Sequence, residues 1–351
     1  MADIIQLLEE LSCTPGPPGG EEPVAALMRS RLAACCHIRR DGLGSLIAER
    51  RGDRDTPRLM LTAHMDEVGF MVQDILAQGY LRLQALGGWQ VQQLPGQRLH
   101  IHGSKGVVEG IVGSIPVHFK KEADRLQLEE LFVDVGAQSA EEVEALGIRL
   151  GDLVTPESRF ARWHGKLLAN KAWDDRVGCA ILVQVLAELE THPNTVLGVG
   201  TVQEEVGSRG AAAAVEVVKP QAAVVLEGAP ADDLPGITRD NPQAVLGKGC
   251  QIRLYDPSII IHRQFWQWVT EIARSRNIAH QLAVRRSGAT DARAIQAARG
   301  GIPTVVLSVP VRYAHSHSGL IHLDDVLATL ALTKAIVELL DERAWKELLP
   351  A

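Results

Sequence analysis

The chain has 351 residues with 36 Lys and Arg against 43 Asp and Glu, a net charge of −7 that offers no basic excess for nucleic acid or an anionic membrane surface. Its 46% apolar and 23% charged residues are ordinary for a globular protein, and no run approaches the roughly 18 apolar residues of a membrane span. The length suggests about two domains.

In chain order, Ile4, Ile5, Leu7, Leu8 and Leu11 recur at helical spacing, and Thr14-Pro15-Gly16-Pro17-Pro18-Gly19-Gly20 ends that helix. A second amphipathic stretch runs from Glu21 to about Ala34, and residues 42–48 read as a hairpin strand. Leu59-Met60-Leu61 predicts a short buried strand that leads into Thr62-Ala63-His64-Met65-Asp66-Glu67. From about residue 71 short alternating segments such as Leu81-Arg82-Leu83 and Leu99-His100-Ile101 are punctuated by Gly87-Gly88, Pro95-Gly96 and Gly103. This predicts antiparallel β structure, a small barrel or sandwich. Ser139-Ala140-Glu141-Glu142 reads as a capping box opening a short helix that stops at Gly147. The β-rich part closes near Pro156. The economical reading is one α/β domain, residues 1–70 plus 164–351, interrupted by an inserted β-rich domain at 71–163.

The second half reads as βα units. A strongly apolar helix is predicted over 177–189, and a strand over 195–202 ends in Gln203-Glu204-Glu205. The apolar strand 222–226 ends in Glu227. A helix is expected over 258–275 with Asp256 as N-cap and Pro257 as its first residue. Gly288-Ala289-Thr290-Asp291 opens another helix, and the strand 303–309 leads to Tyr313-Ala314-His315-Ser316-His317. Asp324 starts a final helix that is expected to reach about Glu347.

The five cysteines are Cys13, Cys35, Cys36, Cys179 and Cys250. Their number is odd and no C-x-x-C spacing occurs, so neither a disulfide framework nor a zinc knuckle is indicated. The opening Met1-Ala2-Asp3-Ile4-Ile5 has no basic segment or signal-like apolar core. A cytoplasmic location is expected, with each thiol as core filling.

In open α/β sheets, ligands sit beyond the carboxyl ends of the strands. There this chain gathers His64 and Asp66, Glu204 and Glu205, Glu227, and His315, with Asp174 and Asp175 just ahead of a helix. In extended geometry His64 and Asp66 point to one side, the imidazole free to bind a metal and the carboxylate to brace it. As structural residues, Asp174 or Asp175 would be a helix cap. Adjacent Glu204 and Glu205 are harder to account for structurally, because they repel unless cations or protons intervene. Two imidazoles and three carboxylates are what a pair of divalent transition ions needs, with zinc, cobalt or manganese all suited.

These motifs resemble the tetrahedral aminopeptidases, a family that includes glutamyl aminopeptidases and some members bearing the name endoglucanase. The resemblance rests on Ala63-His64-Met65-Asp66-Glu67, Asn170-Lys171-Ala172-Trp173-Asp174-Asp175-Arg176, Gln203-Glu204-Glu205-Val206-Gly207, Gly288-Ala289-Thr290-Asp291 and Arg312-Tyr313-Ala314-His315-Ser316. Leu94-Pro95-Gly96-Gln97-Arg98 and Asp134-Val135-Gly136-Ala137 extend it to the insertion, so it covers essentially the whole chain.

The resemblance implies a mixed-sheet α/β metallopeptidase domain interrupted by a small β-barrel of PDZ-like type. It implies two divalent ions per subunit, held by His64, Asp174, Glu205, Glu227 and His315, with Asp174 between them. Glu204 would be the general base, and Asp66 would orient His64. Most relatives have Asp-Val-Thr where this chain has Glu227-Gly228-Ala229. Asp232 and Asp233 read as loop residues and His317 as a rim residue. His118 matches a family position without an assignable role.

The implied activity is removal of N-terminal residues from short peptides, by a homo-oligomer that in this family typically has twelve subunits. One rival reading keeps both metals but cleaves an acylated or sugar-linked small amide. Another, a non-catalytic scaffold, leaves the retention of Asp66 and Glu204 without a purpose.

Overall fold

Four apolar runs lie side by side at the centre of one sheet in the computed structural model, which describes residues 2–116, 118, 126–237 and 240–348. Among the described residues this sheet has nine strands. From edge to edge they are His37–Arg40, Leu46–Arg50, Thr195–Thr201, Arg58–His64, Ala222–Pro230, Thr304–Val311, Cys250–Asp256 and Ile259–Ile260, with His280–Val284 pairing Cys250–Asp256 off that path. The middle four run parallel to one another, and the pairings that flank them are antiparallel. Parallel strands are covered on both faces, so they read as unbroken apolar runs. Thr195–Thr201 and Thr304–Val311 are buried at every position. The helix Trp173–Glu188, apolar almost all round, lies across two of these strands. The parallel direction brings four carboxyl-end segments to one edge, which is where the candidate site forms.

The alternating segments close into a barrel in the order Gly69–Ile75, Tyr80–Leu86, Phe132–Asp134, Gly106–Gly113, Arg98–Gly103 and Leu153–Pro156. Its inward residues, among them Phe70, Val72, Leu81, Leu99, Ile101 and Val133, make a core separate from that of the main sheet. The architecture is therefore mixed α/β with a small closed β-barrel, as the resemblance implied, the patterning having left barrel and sandwich open. A third, three-stranded sheet joins Ala161–Arg162, Leu167–Asn170 and Gly319–His322.

Several local expectations need correction. The helix expected from residue 258 begins only at Arg263 and ends at Ser275. Residues 259–260 instead fold back as a strand against Tyr255 and Asp256, which the β-branched run Ile259-Ile260-Ile261 favours. Asp256 holds that turn by accepting from the backbone N–H of Ser258 and Ile259, so it caps a hairpin and not a helix. The final helix is two, Leu323–Leu339 and Glu342–Leu348, the second restarted where the Asp341 carboxylate accepts from the Ala344 N–H. Ser139 does accept from the Glu142 N–H, but the Glu142 carboxylate reaches the N–H of Gln138, so the capping box is half formed. Glu227 does not end its strand, which continues to Pro230.

Candidate metal centre

His64 closes the central strand with its side chain only 2% exposed. Its Nδ1 lies 3.0 Å from the backbone carbonyl of Asp66, an arrangement in which Nδ1–H donates and Nε2 is left free to bind a cation. That Nε2 faces Asp174 Oδ1 at 3.2 Å and Glu227 Oε2 at 4.0 Å. Burial opposes a charge on this imidazole, yet Asp174 and Asp66 outweigh it and raise its pKa well above the ordinary value.

The Asp66 carboxylate does something the strand argument missed. Its Oδ1 is 3.5 Å from His64 Nδ1, but its shorter bonds come from the backbone N–H groups of Glu204, at 2.9 Å, and Glu205, at 3.0 Å. It therefore ties the end of one strand to the turn that follows its neighbour. Through that turn it sets where both glutamates point.

Asp174 and Asp175 are adjacent but serve different places. They are joined by a cis peptide and depart from helical dihedrals at the head of their helix. Asp174 gives Oδ1 to His64 and Oδ2 to His315 Nε2 at 3.4 Å, spanning the two imidazoles. Burial raises its pKa, but the two imidazoles overcome this and hold it below the usual carboxylate range. Asp175 turns inward and accepts from the N–H groups of His64 and Gly178. The close approach of this segment depends on Gly228, where a Cβ would lie 2.9 Å from Asp174 Cα.

His315 sits in the left-handed region with φ +58°, and its Nε2 is 3.4 Å from Glu205 Oε1. Burial pushes the Glu205 carboxyl up to about 7, against the pull of His315. Glu204 is pushed up to about 8 by burial, against the pull of His64, and it accepts from Ser208 Oγ at 3.1 Å. Glu227, fully buried, is raised well above the ordinary value. The barrel closes over this edge: at Gly87, φ +91°, an added Cβ would lie 3.2 Å from Glu205 Oε2.

Two three-residue groups emerge, His64 with Asp174 and Glu227, and His315 with Asp174 and Glu205; in each, the candidate ligand atoms lie within 4.8 Å of one another. Both share Asp174. Buried oxygens of Glu205 and Glu227 have no hydrogen-bond partner. Orphaned carboxylate oxygens beside imidazole nitrogens fit divalent cations, and an oxygen-and-nitrogen donor set suits zinc, cobalt or manganese. All five residues expected as ligands thus converge, with Glu204 and Asp66 beside them.

Other expected residues lie apart. His317 belongs to neither group; its ring packs on Trp89, centroids 5.5 Å apart. His118 is exposed. His322 accepts from the Asp324 N–H at the head of its helix. Asp232 and Asp233 are loop residues, the first accepting from Gln243 and Ala244 and the second bonded to Arg312. Sequence reasoning missed Ser208, although its place four residues after Glu204 on a helical approach was a usable signal. It also missed Arg253, Arg285 and Arg293, which line the same cavity of ≈ 370 Å³.

Residues 44–332 match the M42 glutamyl aminopeptidase family. The glutamyl aminopeptidase of Lactococcus lactis is 31% identical over 99% of this chain and 98% of its own. The lysyl aminopeptidase of Pyrococcus furiosus is 33% identical over 86% of both. Among solved structures, a TET aminopeptidase from a marine sediment archaeon, Thaumarchaeota archaeon SCGC AB-539-E09, superimposes with a TM-score of 0.96 at 36% identity, covering 99% of each chain. The Pyrococcus horikoshii TET1 peptidase, which can assemble into a tetrahedron or a large octahedral shell, gives 0.86 at 31% identity, covering 96% of this chain and 100% of that one.

Proposed function

The chain belongs to the M42 glutamyl aminopeptidase family and is a hydrolase of the aminopeptidase type, and from that premise we propose that it removes the N-terminal residue of short peptides at the paired His64 and His315 groups. The observation that carries this reading is the sharing of Asp174 between two groups of donors, each with one imidazole and a second carboxylate. His64, Asp174 and Glu227 would hold one divalent ion, and His315, Asp174 and Glu205 the other. Zinc or cobalt is favoured, with manganese suited. Bound there, the pair would lower the pKa of a water and polarise the scissile carbonyl.

The protein's own groups do the rest. Glu204 takes the proton of the attacking water on a carboxylate oxygen and returns it to the amide nitrogen, which leaves as an amine only once protonated. Ser208 Oγ, donating to Oε1, keeps that carboxylate aimed. Asp66 holds Glu204 and Glu205 in register with His64 through their backbone N–H groups.

The test is Glu204→Gln. Metal content should be retained while turnover of an aminoacyl-anilide falls about 10²–10⁴-fold. Near-normal turnover at full metal loading would remove Glu204 from its role. Cleavage of N-blocked peptides as readily as free-amine ones would favour the small-amide reading.

The barrel insertion, residues 71–163, is proposed as an assembly unit, with the homododecamer the expected form. The resemblance to a peptidase that builds closed shells supports self-association. Elution as a monomer would overturn it. No helix among the described residues is long and apolar enough to cross a membrane, and the cysteine usage fits the proposed cytoplasmic location.

A further inference from the structure

The two imidazoles of the candidate metal centre are not held alike. His64 ends a central strand, is 2% exposed and spends Nδ1 on the Asp66 carbonyl. A bond of that kind is the usual means of aiming a ligating imidazole. His315 lies in the loop between the strands Thr304–Val311 and Gly319–His322, with its side chain 36% exposed. Among the described residues its polar contacts run through Nε2 alone, to Asp174 and Glu205. Tyr313 and His315 both have positive φ, +60° and +58°. Non-glycine backbone stays in that region only where its surroundings hold it there. Arg312 and Leu320 close the neck of the loop with paired backbone bonds, and Ala314 packs on the main core. These contacts anchor the backbone but do not aim the ring.

The neighbours that can aim it come from the barrel. Gly87-Gly88-Trp89 follows directly on the barrel strand Tyr80–Leu86. At Gly87 an added Cβ would lie 3.2 Å from Glu205 Oε2, and at Gly88 it would lie 3.4 Å from His315 Nδ1. The Gly88 backbone thus stands on the Nδ1 side of His315, where His64 has its carbonyl. Trp89 stacks on Phe70, centroids 4.7 Å apart at 18°, and its Nε1 donates to the Gly69 carbonyl at 3.0 Å. Phe70 is buried in the barrel core, so the indole is fixed to the barrel. The same indole meets the His317 ring at 5.5 Å and 56°. His317 Nε2 is buried without a hydrogen-bond partner, so ring packing takes the place of a polar bond there.

Resting on the metal-centre reading above, we propose that Trp89 is a positioning residue: it pins His317 to the barrel and so sets His315, two residues earlier, for one of the two ions. The inserted barrel is then part of one half of the metal centre as well as an assembly unit. The effect is one-sided. His64, Asp174 and Glu227 are placed by the main sheet and the head of the helix Trp173–Glu188, so the His64 group should not depend on Trp89.

Metal titration separates the two groups. His315→Ala should remove one of two binding steps and so identify it. Trp89→Ala should weaken that same step about tenfold or more and leave the other unchanged, and Trp89→Phe, which keeps a ring in the stack, should restore it. Trp89→Ala also strips packing from the barrel. His317→Ala breaks the same contact without touching the barrel core, and it should give the same one-sided loss. Equal loss at both steps, no loss at either, or no recovery in Trp89→Phe would overturn the proposal. If the wild-type protein binds no metal, the metal-centre reading falls by itself. Amide hydrogen exchange in the metal-free protein still decides the positioning. In His317→Ala the amides of residues 312–318 should exchange about tenfold faster while those of 62–67 hold their rates. Unchanged exchange in that loop would sink it.

Discussion

Glu67, Lys171 and Arg176 are as deeply buried as His64, Asp66 and Glu227, and they interleave with the candidate ligands along the chain. Their chemistry is the opposite. Both Glu67 oxygens accept from Lys171 Nζ at 2.6 Å, and one also accepts from the Gly16 N–H and lies 3.4 Å from Arg176. Arg176 spends its remaining donors on the carbonyls of Leu11, Thr14, Gly16 and Met65. One carboxylate meets two cations, and the network closes on itself, fastening the N-terminal loop to the strand that bears His64. A few residues away, Asp174, Glu204, Glu205 and Glu227 share two imidazoles, and two of the carboxylate oxygens have no hydrogen-bond partner. The closed network is structural because the protein supplies both signs of charge. The open one is short of cations, and that deficit marks where ions from solution belong.

The sharpest way to break the comparison is to open the closed cluster and relieve the open one. Lys171→Met would leave Glu67 with only the Gly16 N–H and the Arg176 guanidinium at 3.4 Å, and removing one partner of a buried pair typically costs about 3–5 kcal/mol. Urea unfolding should show that loss. Glu205→Gln in metal-free protein should do the reverse, holding or raising stability while metal affinity falls. Equal destabilisation by both substitutions would erase the distinction.

Asp66→Asn probes the link between the strands. It keeps the backbone carbonyl that meets His64 but weakens the carboxylate that gathers Glu204 and Glu205, so metal affinity should fall about 10–100-fold. A metal titration followed by mass spectrometry reads this directly. Unchanged affinity would reduce Asp66 to filling space.

The smallest effect concerns pH. In metal-stripped protein burial raises Glu204 to about 8 and Glu205 to about 7. His315 rises to about 9, because Asp174 and Glu205 outweigh the burial that opposes its charge. All three folded-state values lie above those of the unfolded chain. The stability they contribute is present at low pH and is lost as pH rises through the folded values. The melting temperature of stripped protein should therefore drop between about pH 5 and pH 9, and metal should flatten the slope by replacing protons as the counter-charge. A stripped protein whose melting temperature is level or rising over that range would contradict the open cluster's charge deficit.

What was legible in the chain alone was local. Runs such as Leu59-Met60-Leu61 and Val224-Val225-Leu226 announced buried strands by their apolar continuity, and the glycine-punctuated alternation of residues 80–103 announced antiparallel β structure, which strand pairing closes into a barrel and not a sandwich. Chemically odd residues at strand ends flagged His64, Glu204, Glu205 and His315, since a buried strand has no packing use for them. Where local signals competed, the reading slipped: Asp256-Pro257 looked like a helix start, but three β-branched residues behind it preferred extended backbone and a hairpin that only strand pairing could stabilise. The alternation of Ile252 and Leu254 with Gln251, Arg253 and Tyr255 announced a further strand that went unread.

Only the tertiary structure decided which of these groups meet. Asp174 lies 110 residues from His64 in the chain, and its place between two imidazoles depends on the parallel sheet and on Gly228 leaving room for it. The division of labour between Asp174 and Asp175, the Asp66 bonds to the Glu204-Glu205 turn, and the convergence of Arg253, Arg285 and Arg293 on one cavity are likewise products of packing. Periodicity and residue chemistry act over a turn or a strand, so the sequence by itself determined what each segment is. Contact between segments depends on how buried surfaces fit together, and that fit assembles the site.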